Sequence, residues 1–370
     1  MNACGSSSSP AKVTYTLGHF PDVPTGSVSV STASALQAVL DAAVKQGLPG
    51  VTATVLTADG RAWSGAAGTA DGVHPVEARS QFSIASLTKT VLAAEVMRLA
   101  EKGLHRLSDP VSEHLPSDFH FDTNGATIEN LLHMESGIPD PALSFTPAVE
   151  ADPLREWTPR EVLATVPPDR SKPGDHFVYG DSNYMLIDLV IEATTGTRVA
   201  AALRSGVLSD PLFSSMVYQP AERPEGPLAL PFLEGKLRPN ILQVGGGYLP
   251  TKAQVSFANG SGCMASNSPS LALWGYLLFG GKLVSEQSLA AMTDFGNGVY
   301  GLGVFDQTKD NAWRGAGQAI GNGGWDNGGY SSALAVLPRE GIVISVLTNT
   351  AGDPKLLVFP VAEKLRGYLR

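Results

Sequence analysis

The segment that decides the fold of this chain reads Phe82-Ser83-Ile84-Ala85-Ser86-Leu87-Thr88-Lys89. From residue 87 onward the sequence has the pattern of a helix, because apolar residues recur on one face until Gly103. Residues three apart lie on the same side of a helix, so the Lys89 side chain can reach the Ser86 hydroxyl. The pair predicts either a catalytic serine with its proton acceptor or a helix-capping serine beside a solvated lysine.

Catalysis by Ser86 and Lys89 requires that the serine be activated by its neighbour. A serine hydroxyl is a weak nucleophile unless a neighbour takes its proton. A lysine can take it if burial lowers its pKa towards neutrality. The free backbone N–H groups and the dipole at a helix start also favour an oxyanion at Ser86. The spacing alone is weak, since Ser9 and Lys12 repeat it in a region without helical pattern.

The pattern on either side of this segment indicates an α/β fold of the α+β kind. A helix (33–46) and a hairpin (51–56 and 61–68) precede it, and strands (300–305, 331–337, 341–348) and a helix (353–368) end the chain. We predict that both ends form one mostly antiparallel sheet flanked by helices. The domain covers 32–370, with a sheet part at about 32–85 and 290–370. A helical part at about 86–289, including helices 182–195 and 271–278, is inserted between them.

Residues 1–31 are rich in Ser, Thr, Pro and Gly, which predicts a disordered tail or linker. Cys4 follows a small residue and precedes Gly5 and a run of serines at 6–9. This start resembles that of a mature bacterial lipoprotein, with lipidated Cys4 and a flexible tether to the membrane. The alternative is a tail with an incidental cysteine. The expected location is the bacterial cell envelope or the exterior.

Composition limits the classes of function. The chain has 370 residues, is 43% hydrophobic and carries a net charge of −9. This charge, without a basic cluster, argues against a nucleic-acid partner. The seven histidines are scattered, and no residue set requires a metal or other cofactor. Cys263 lies in a run of small residues and is expected to be a buried apolar side chain.

Four segments resemble, in order, the motifs of the superfamily of class C β-lactamases, penicillin-binding proteins, DD-peptidases, D-aminopeptidases and related esterases. They are the nucleophile segment 82–89, the helix and turn 127–139, the second catalytic motif 173–184, and a third motif at 322–324 with 328–332. Together they span about residues 33–369 and are far more specific than any one alone. The resemblance implies a β-lactamase/transpeptidase-like fold and hydrolysis through an acyl-enzyme on Ser86.

The second motif places Tyr179 where the family has a tyrosine that shares or relays the proton between nucleophile and leaving group. Asp181 stands where the family usually has Asn. An ionised Asp only accepts hydrogen bonds, so it would hold Lys89 charged or bind a substrate amine. It would hinder Lys89 as a base unless it turns away, and Asn183 is a candidate substitute for the missing amide.

The third motif begins with Asn322, where the family usually has a Lys or His that binds a substrate carboxylate. The missing cation disfavours β-lactamase and carboxypeptidase activity and favours ester, amide or D-amino-acid substrates. Gly323 and Gly324 belong to the predicted substrate-binding strand. The backbone N–H near Trp325 is expected to be the second oxyanion donor. The Trp325 ring either walls the pocket or packs at an edge.

Two hypotheses of different classes follow. The first is a serine hydrolase of small-molecule or peptide substrates, with Ser86, Lys89 and Tyr179 as catalytic residues. The second is a non-catalytic envelope protein that binds peptides or cell-wall fragments, and Asp181 and Asn322 are the residues that favour it. The sequence gives no prediction of the oligomeric state.

Overall fold

The computed structural model describes residues 20–142, 147–237, 246–296 and 298–369. Its main sheet has seven strands in the order β1-β3-β2-β12-β11-β10-β9. The β1–β3 pair is parallel and the other neighbours are antiparallel. The strands are β1 Gly26–Ser27, β2 Gly50–Thr57, β3 Arg61–Gly68, β4 Phe82–Ser83, β5 Val217–Tyr218, β6 Phe232–Leu233, β7 Lys236–Leu237, β8 Met264–Ser266, β9 Phe305–Asp306, β10 Ile320–Asp326, β11 Tyr330–Leu337 and β12 Ile342–Thr348.

The described ranges contain α-helices, some of which cover both faces of this sheet. They are α1 Val30–Lys45, α2 Thr88–Glu101, α3 Ile128–Leu132, α4 Pro147–Glu150, α5 Pro159–Leu163, α6 Asp181–Thr195, α7 Val199–Ser205, α8 Lys252–Ala258, α9 Ser268–Phe279, α10 Glu286–Met292, α11 Pro354–Leu357 and α12 Phe359–Arg366. Helices α1 and α12 lie on one face, and α9 packs on the other. None of the helices in the described ranges is both long enough and apolar enough to cross a lipid bilayer.

The sheet is buried on both sides, and its sequence shows why. On β11, Ala333 and Ala335 belong to the core cluster beneath α1 and α12, whereas Leu334 and Val336 belong to the cluster shared with α9 and α2. Successive strand residues point to opposite faces, so a strand buried on both faces is apolar at every position. The prediction that both ends of the chain build one mostly antiparallel sheet flanked by helices is confirmed.

Three expectations need correction. Residues 20–31 are not a linker, because Phe20 is buried against Tyr276 with ring centroids 4.8 Å apart and β1 pairs with β3. The final helix is divided in two, since Pro360 has no N–H to continue the hydrogen bonding of α11. The strand expected at 300–305 is reduced to β9 and a bridge between Tyr300 and Phe305. Cys4 and the serines at 6–9 lie outside the described residues.

Candidate active site

Ser86 lies in a tight backbone turn at the start of α2. The turn is the 3-10 segment Ala85–Leu87, and Ala85 has a positive φ of 46°. A non-glycine residue in this region carries strain on the order of 1–3 kcal/mol. Strand β10 packs directly against the turn, since a Cβ on Gly324 would lie 2.2 Å from the Ile84 oxygen. The Ser332 hydroxyl also donates to that oxygen at 2.9 Å, which holds the turn against the sheet.

The structure brings the three predicted catalytic side chains together. The Tyr179 hydroxyl donates a hydrogen bond to Ser86 Oγ at 2.8 Å, and Lys89 Nζ donates to the same atom at 3.2 Å. Lys89 is fully buried, and its Nζ lies 4.9 Å from the centre of the Tyr179 ring. The Lys89 amine and the Tyr179 phenol therefore converge on the Ser86 alcohol oxygen at the start of α2. Their catalytic roles stay predictions.

Lys89 has two further partners, which decide its charge. Its Nζ donates to Asp181 Oδ1 at 2.9 Å and to the Ser261 carbonyl at 2.6 Å. With Ser86 Oγ, these acceptors match the three N–H bonds of an ammonium. Burial acts to lower the pKa of Lys89, but the negative charge of Asp181 and the contact with Tyr179 outweigh it and raise that pKa above its ordinary value. Asp181 does not turn away, so the structure favours a charged Lys89.

Asn183 does not replace the amide that Asp181 lacks. Its Nδ2 donates to the Gly180 carbonyl at 3.0 Å, and its Oδ1 accepts a hydrogen bond from Ser136 at 2.6 Å. These bonds tie the segment before α6 to the turn after α3. The residue therefore helps to fix the backbone between Tyr179 and Asp181, while Asp181 itself contacts Lys89.

An aromatic wall that the sequence did not reveal positions the Tyr179 ring. The ring stacks on Phe305 of β9, with centroids 6.0 Å apart and planes inclined by 15°. Tyr300 meets Tyr179 edge-on at 6.3 Å and Phe305 at 4.6 Å. The only signal in the sequence was the pair of aromatic residues at the ends of a predicted strand, and it gave no partner.

A pocket of about 230 Å³ opens above Ser86. It is lined by Ala85, Ser86, Asp181, Pro250, Gln254, Val255, Ala258, Ser261, Gly262, Trp325, Asp326, Asn327 and Gly328. Asp181 and Asp326 are the ionisable residues of this described lining, and none of its members is Lys or Arg. Burial raises the pKa of Asp326 to about 6, although the Ser83 side chain and nearby backbone N–H groups oppose the shift. Asp326 Oδ1 accepts the N–H groups of Gly329 and Tyr330, so Asp181 supplies the exposed carboxylate of this lining.

The structure separates the predicted substrate-binding residues of β10. Trp325, which is 52% exposed, lies in the pocket lining. Asn322 is fully buried, donates to the Ser86 backbone carbonyl at 3.4 Å and leaves Oδ1 without a hydrogen-bond partner in the described ranges. Gly323 is not in the pocket lining, and a Cβ at this position would meet the Pro354 ring. Gly324 permits close packing against Ile84 and is not in the pocket lining.

Residues 35–359 match the protein-family model described as Beta-lactamase. The chain belongs to the beta-lactamase family. Among its relatives, Protein flp of Staphylococcus aureus (strain COL) is 32% identical over 120 residues, which cover 31% of this chain and 24% of that protein. The match thus spans about a quarter of the length of this relative.

Solved structures extend the likeness to the whole fold. A D-stereospecific amidohydrolase from Streptomyces sp. has a TM-score of 0.71 and 25% identity, covering 90% of this chain and 97% of that one. The D-amino acid amidase from Ochrobactrum anthropi SV3 complexed with L-phenylalanine has a TM-score of 0.75 and 20% identity, covering 91% and 98%. The fold is β-lactamase/transpeptidase-like. Family and fold together support a serine hydrolase.

Across the described residues, no group of three or more His, Cys, Asp or Glu side chains is placed to hold a metal ion.

Proposed function

We propose that this protein is an acyl-enzyme serine hydrolase of amide or ester substrates whose acyl group carries a free amine, as D-amino acid amides and D-aminoacyl peptides do. The observation that carries the proposal is the convergence of Tyr179 and Lys89 on Ser86 Oγ, at 2.8 and 3.2 Å, beneath a pocket whose lining includes the exposed Asp181 carboxylate. A nucleophile with a proton-transferring neighbour inside hydrogen-bond reach is the geometric requirement for covalent catalysis.

In the proposed reaction, the Tyr179 hydroxyl, which donates to Ser86 Oγ in the resting site, first releases its proton to water. Ser86 Oγ then attacks the substrate carbonyl carbon and passes its proton to the Tyr179 oxygen, while Lys89 stays an ammonium beside it. As the tetrahedral intermediate collapses, Tyr179 returns the proton to the leaving amine or alcohol. Water then attacks the acyl carbon and gives its proton to the Tyr179 oxygen. Tyr179 returns that proton to Ser86 Oγ as the acid leaves. The backbone N–H groups of Ser86 and Trp325 are the proposed donors to the oxyanion.

The charge of the pocket supports the substrate class. The Asp181 side chain is 34% exposed, so a substrate ammonium can approach the carboxylate that also faces Lys89. The described lining offers no Lys or Arg for a substrate carboxylate, which both β-lactams and D-Ala-D-Ala ends carry. The likeness to an amidohydrolase described as D-stereospecific agrees with a substrate of the D series.

The amine requirement can be tested with matched substrate pairs. We expect kcat/KM for a D-aminoacyl p-nitroanilide to fall by about tenfold or more when its amine is acetylated, since a charge-assisted contact contributes roughly 1.5–3 kcal/mol. Nitrocefin, which carries a carboxylate, should be a poorer substrate than the free amine. p-Nitrophenyl acetate serves as the control for the nucleophile itself. Equal rates for the free and acetylated amines would contradict the proposed substrate class.

Asp181→Asn tests which group accepts the proton. Loss of the carboxylate leaves burial less opposed, so the pKa of Lys89 should fall from its raised value. If Lys89 acts as an ammonium, the high-pH limb of the kcat/KM profile should move to lower pH. A gain in rate at neutral pH, with the low-pH limb moving down, would instead identify neutral Lys89 as the base. Asp140→Asn is the control, because Asp140 receives the Ser182 N–H at 3.3 Å beside Asp181.

A non-catalytic binding protein is the second candidate. The observation that favours it is the Lys89–Asp181 ion pair, which opposes the removal of a proton from Lys89. In such a protein the acidic pocket would hold amine-bearing peptides without cleaving them. Covalent labelling separates the two candidates, because only a hydrolase activates Ser86.

A further inference from the structure

We propose that Asp188 is a positioning residue, which holds the backbone N–H of Gly260 so that the carbonyl of the next residue, Ser261, stays on Lys89. The proposal rests on the proposed function, because the geometry it explains is that of the Ser86 centre. Asp188 does not contact Ser86 or the pocket that opens above it. It acts through one short stretch of backbone.

Asp188 is buried behind the site and bonded to that backbone. It is 2% exposed, and its Oδ2 accepts hydrogen bonds from the Gly260 N–H at 2.6 Å and the Tyr218 hydroxyl at 2.7 Å. Its Oδ1 has no hydrogen-bond partner in the described part of the chain. A buried carboxyl is costly unless it is hydrogen-bonded. The Asp188 carboxyl is held by two donors, and one of them, the Gly260 N–H, belongs to the turn Asn259–Ser261.

The backbone at Gly260 lies close to Asp188 and to its other neighbours. A Cβ on Gly260 would lie 2.4 Å from the Leu92 side chain, 2.5 Å from Asp188 Oδ1 and 2.7 Å from the backbone carbonyl oxygen of Tyr184. Glycine is therefore required for this close approach. Asn259 has a positive φ of 46°, which a non-glycine residue holds only when its surroundings impose it. The hydrogen bond from Gly260 to Asp188 is an interaction that can impose it.

The next residue supplies a partner of the catalytic amine. The Ser261 carbonyl accepts the Lys89 Nζ hydrogen bond at 2.6 Å, the shortest of the three around that nitrogen. If Gly260 left Asp188, this carbonyl would lose its fixed direction. Lys89 would then be held by Asp181 and Ser86 alone, and its position against the nucleophile would loosen.

Helix α6 connects the two supports of Lys89. Asp181 begins the helix and Asp188 follows seven residues later, which is about two turns along the same face. One helix therefore carries the carboxylate that bonds to Lys89 directly and the carboxyl that fixes the second acceptor. A rigid element of this kind can hold both acceptors at a constant separation.

The test compares Asp188→Ala with Asp188→Asn in fluorophosphonate labelling of the full chain. We expect kinact to fall about tenfold in Asp188→Ala while KI changes less than about threefold, because geometry around Lys89 rather than the pocket is lost. Asp188→Asn should stay within about threefold of wild type, since its amide oxygen can still accept both bonds. Ser345→Ala is the matched control, because it removes a buried hydroxyl bonded to the Ser268 carbonyl at 2.7 Å, in the sheet core.

The outcomes are distinguishable. Labelling of Asp188→Ala at the wild-type kinact, or a loss in Ser345→Ala as large as in Asp188→Ala, would overturn the inference. If Asp188→Ala does not fold, Tyr218→Phe is the substitute, because it removes the hydroxyl that bonds to Asp188 Oδ2. We expect kinact to fall about threefold in this variant. An unchanged rate there would also overturn it. If wild type is not labelled, the proposed function fails. Crystal structures of wild type and Asp188→Ala then test the positioning role by itself. A Ser261–Lys89 contact that is unchanged in the variant would overturn the inference.

Discussion

Replacement of Ser86 by Ala is expected to lower kcat for a D-aminoacyl p-nitroanilide by about 1,000-fold or more, because it removes the oxygen on which the proposed acyl-enzyme forms. The hydroxyl is where the Tyr179 and Lys89 hydrogen bonds converge, so its removal leaves both donors without their shared acceptor. Steady-state hydrolysis and thermal unfolding of the same preparations are the measurements. The melting temperature should change little, since the substitution removes one oxygen at the edge of a pocket.

The chain provides its own matched control for this variant. Ser9 and Lys12 have the same spacing as Ser86 and Lys89 but lie outside the predicted helix. We expect Ser9→Ala to keep the full rate. Residual activity in Ser86→Ala above about a tenth of wild type, or equal losses in both variants, would contradict the assignment of Ser86 as nucleophile.

Tyr179→Phe is expected to lower kcat by about 100- to 10,000-fold, which is the usual contribution of a positioned proton-transfer group. The ring should keep its stacking on Phe305, because the substitution removes only the hydroxyl that reaches Ser86. KM should change less than kcat, since the hydroxyl acts on the nucleophile. Stopped-flow measurement of acylation and hydrolysis separates the two constants.

Tyr184→Phe is the control for Tyr179→Phe. The Tyr184 ring also lies near Lys89, with its centre 5.9 Å from Nζ, but its hydroxyl donates to the Leu132 carbonyl at 3.1 Å. We expect a modest loss of stability and a rate close to that of wild type. A Tyr179→Phe enzyme as active as the Tyr184→Phe enzyme would remove Tyr179 from the mechanism.

How much of the site the sequence predicts depends on how far apart the contacting residues lie in the chain. The Ser86–Lys89 contact follows from helical spacing within four residues. Tyr179 was accessible only through resemblance to a known family, because the contact spans 93 residues. The Ser261 carbonyl had no signal at all, since any residue has a carbonyl and only tertiary packing, 172 residues away, directs this one at Lys89.

The same distinction applies to the fold. Runs of apolar and β-branched residues predicted β2, β3, β11 and β12, and helical spacing predicted α1, α2, α6 and α9, because these patterns are local. The burial of Phe20 was missed, since one aromatic residue in a polar stretch does not show that Tyr276 will cover it. The charge of Lys89 was an open question for a similar reason. Burial alone would lower its pKa, and the positions of Asp181 and Tyr179 decide that it rises.

The site of covalent modification tests the central claim most directly. The full chain is treated with a fluorophosphonate, and the adduct is located by intact-mass measurement and peptide mapping. We expect one adduct per chain, on the peptide that contains Ser86, and none in Ser86→Ala. An unmodified wild-type chain, or an adduct on another residue that persists in Ser86→Ala, would contradict it.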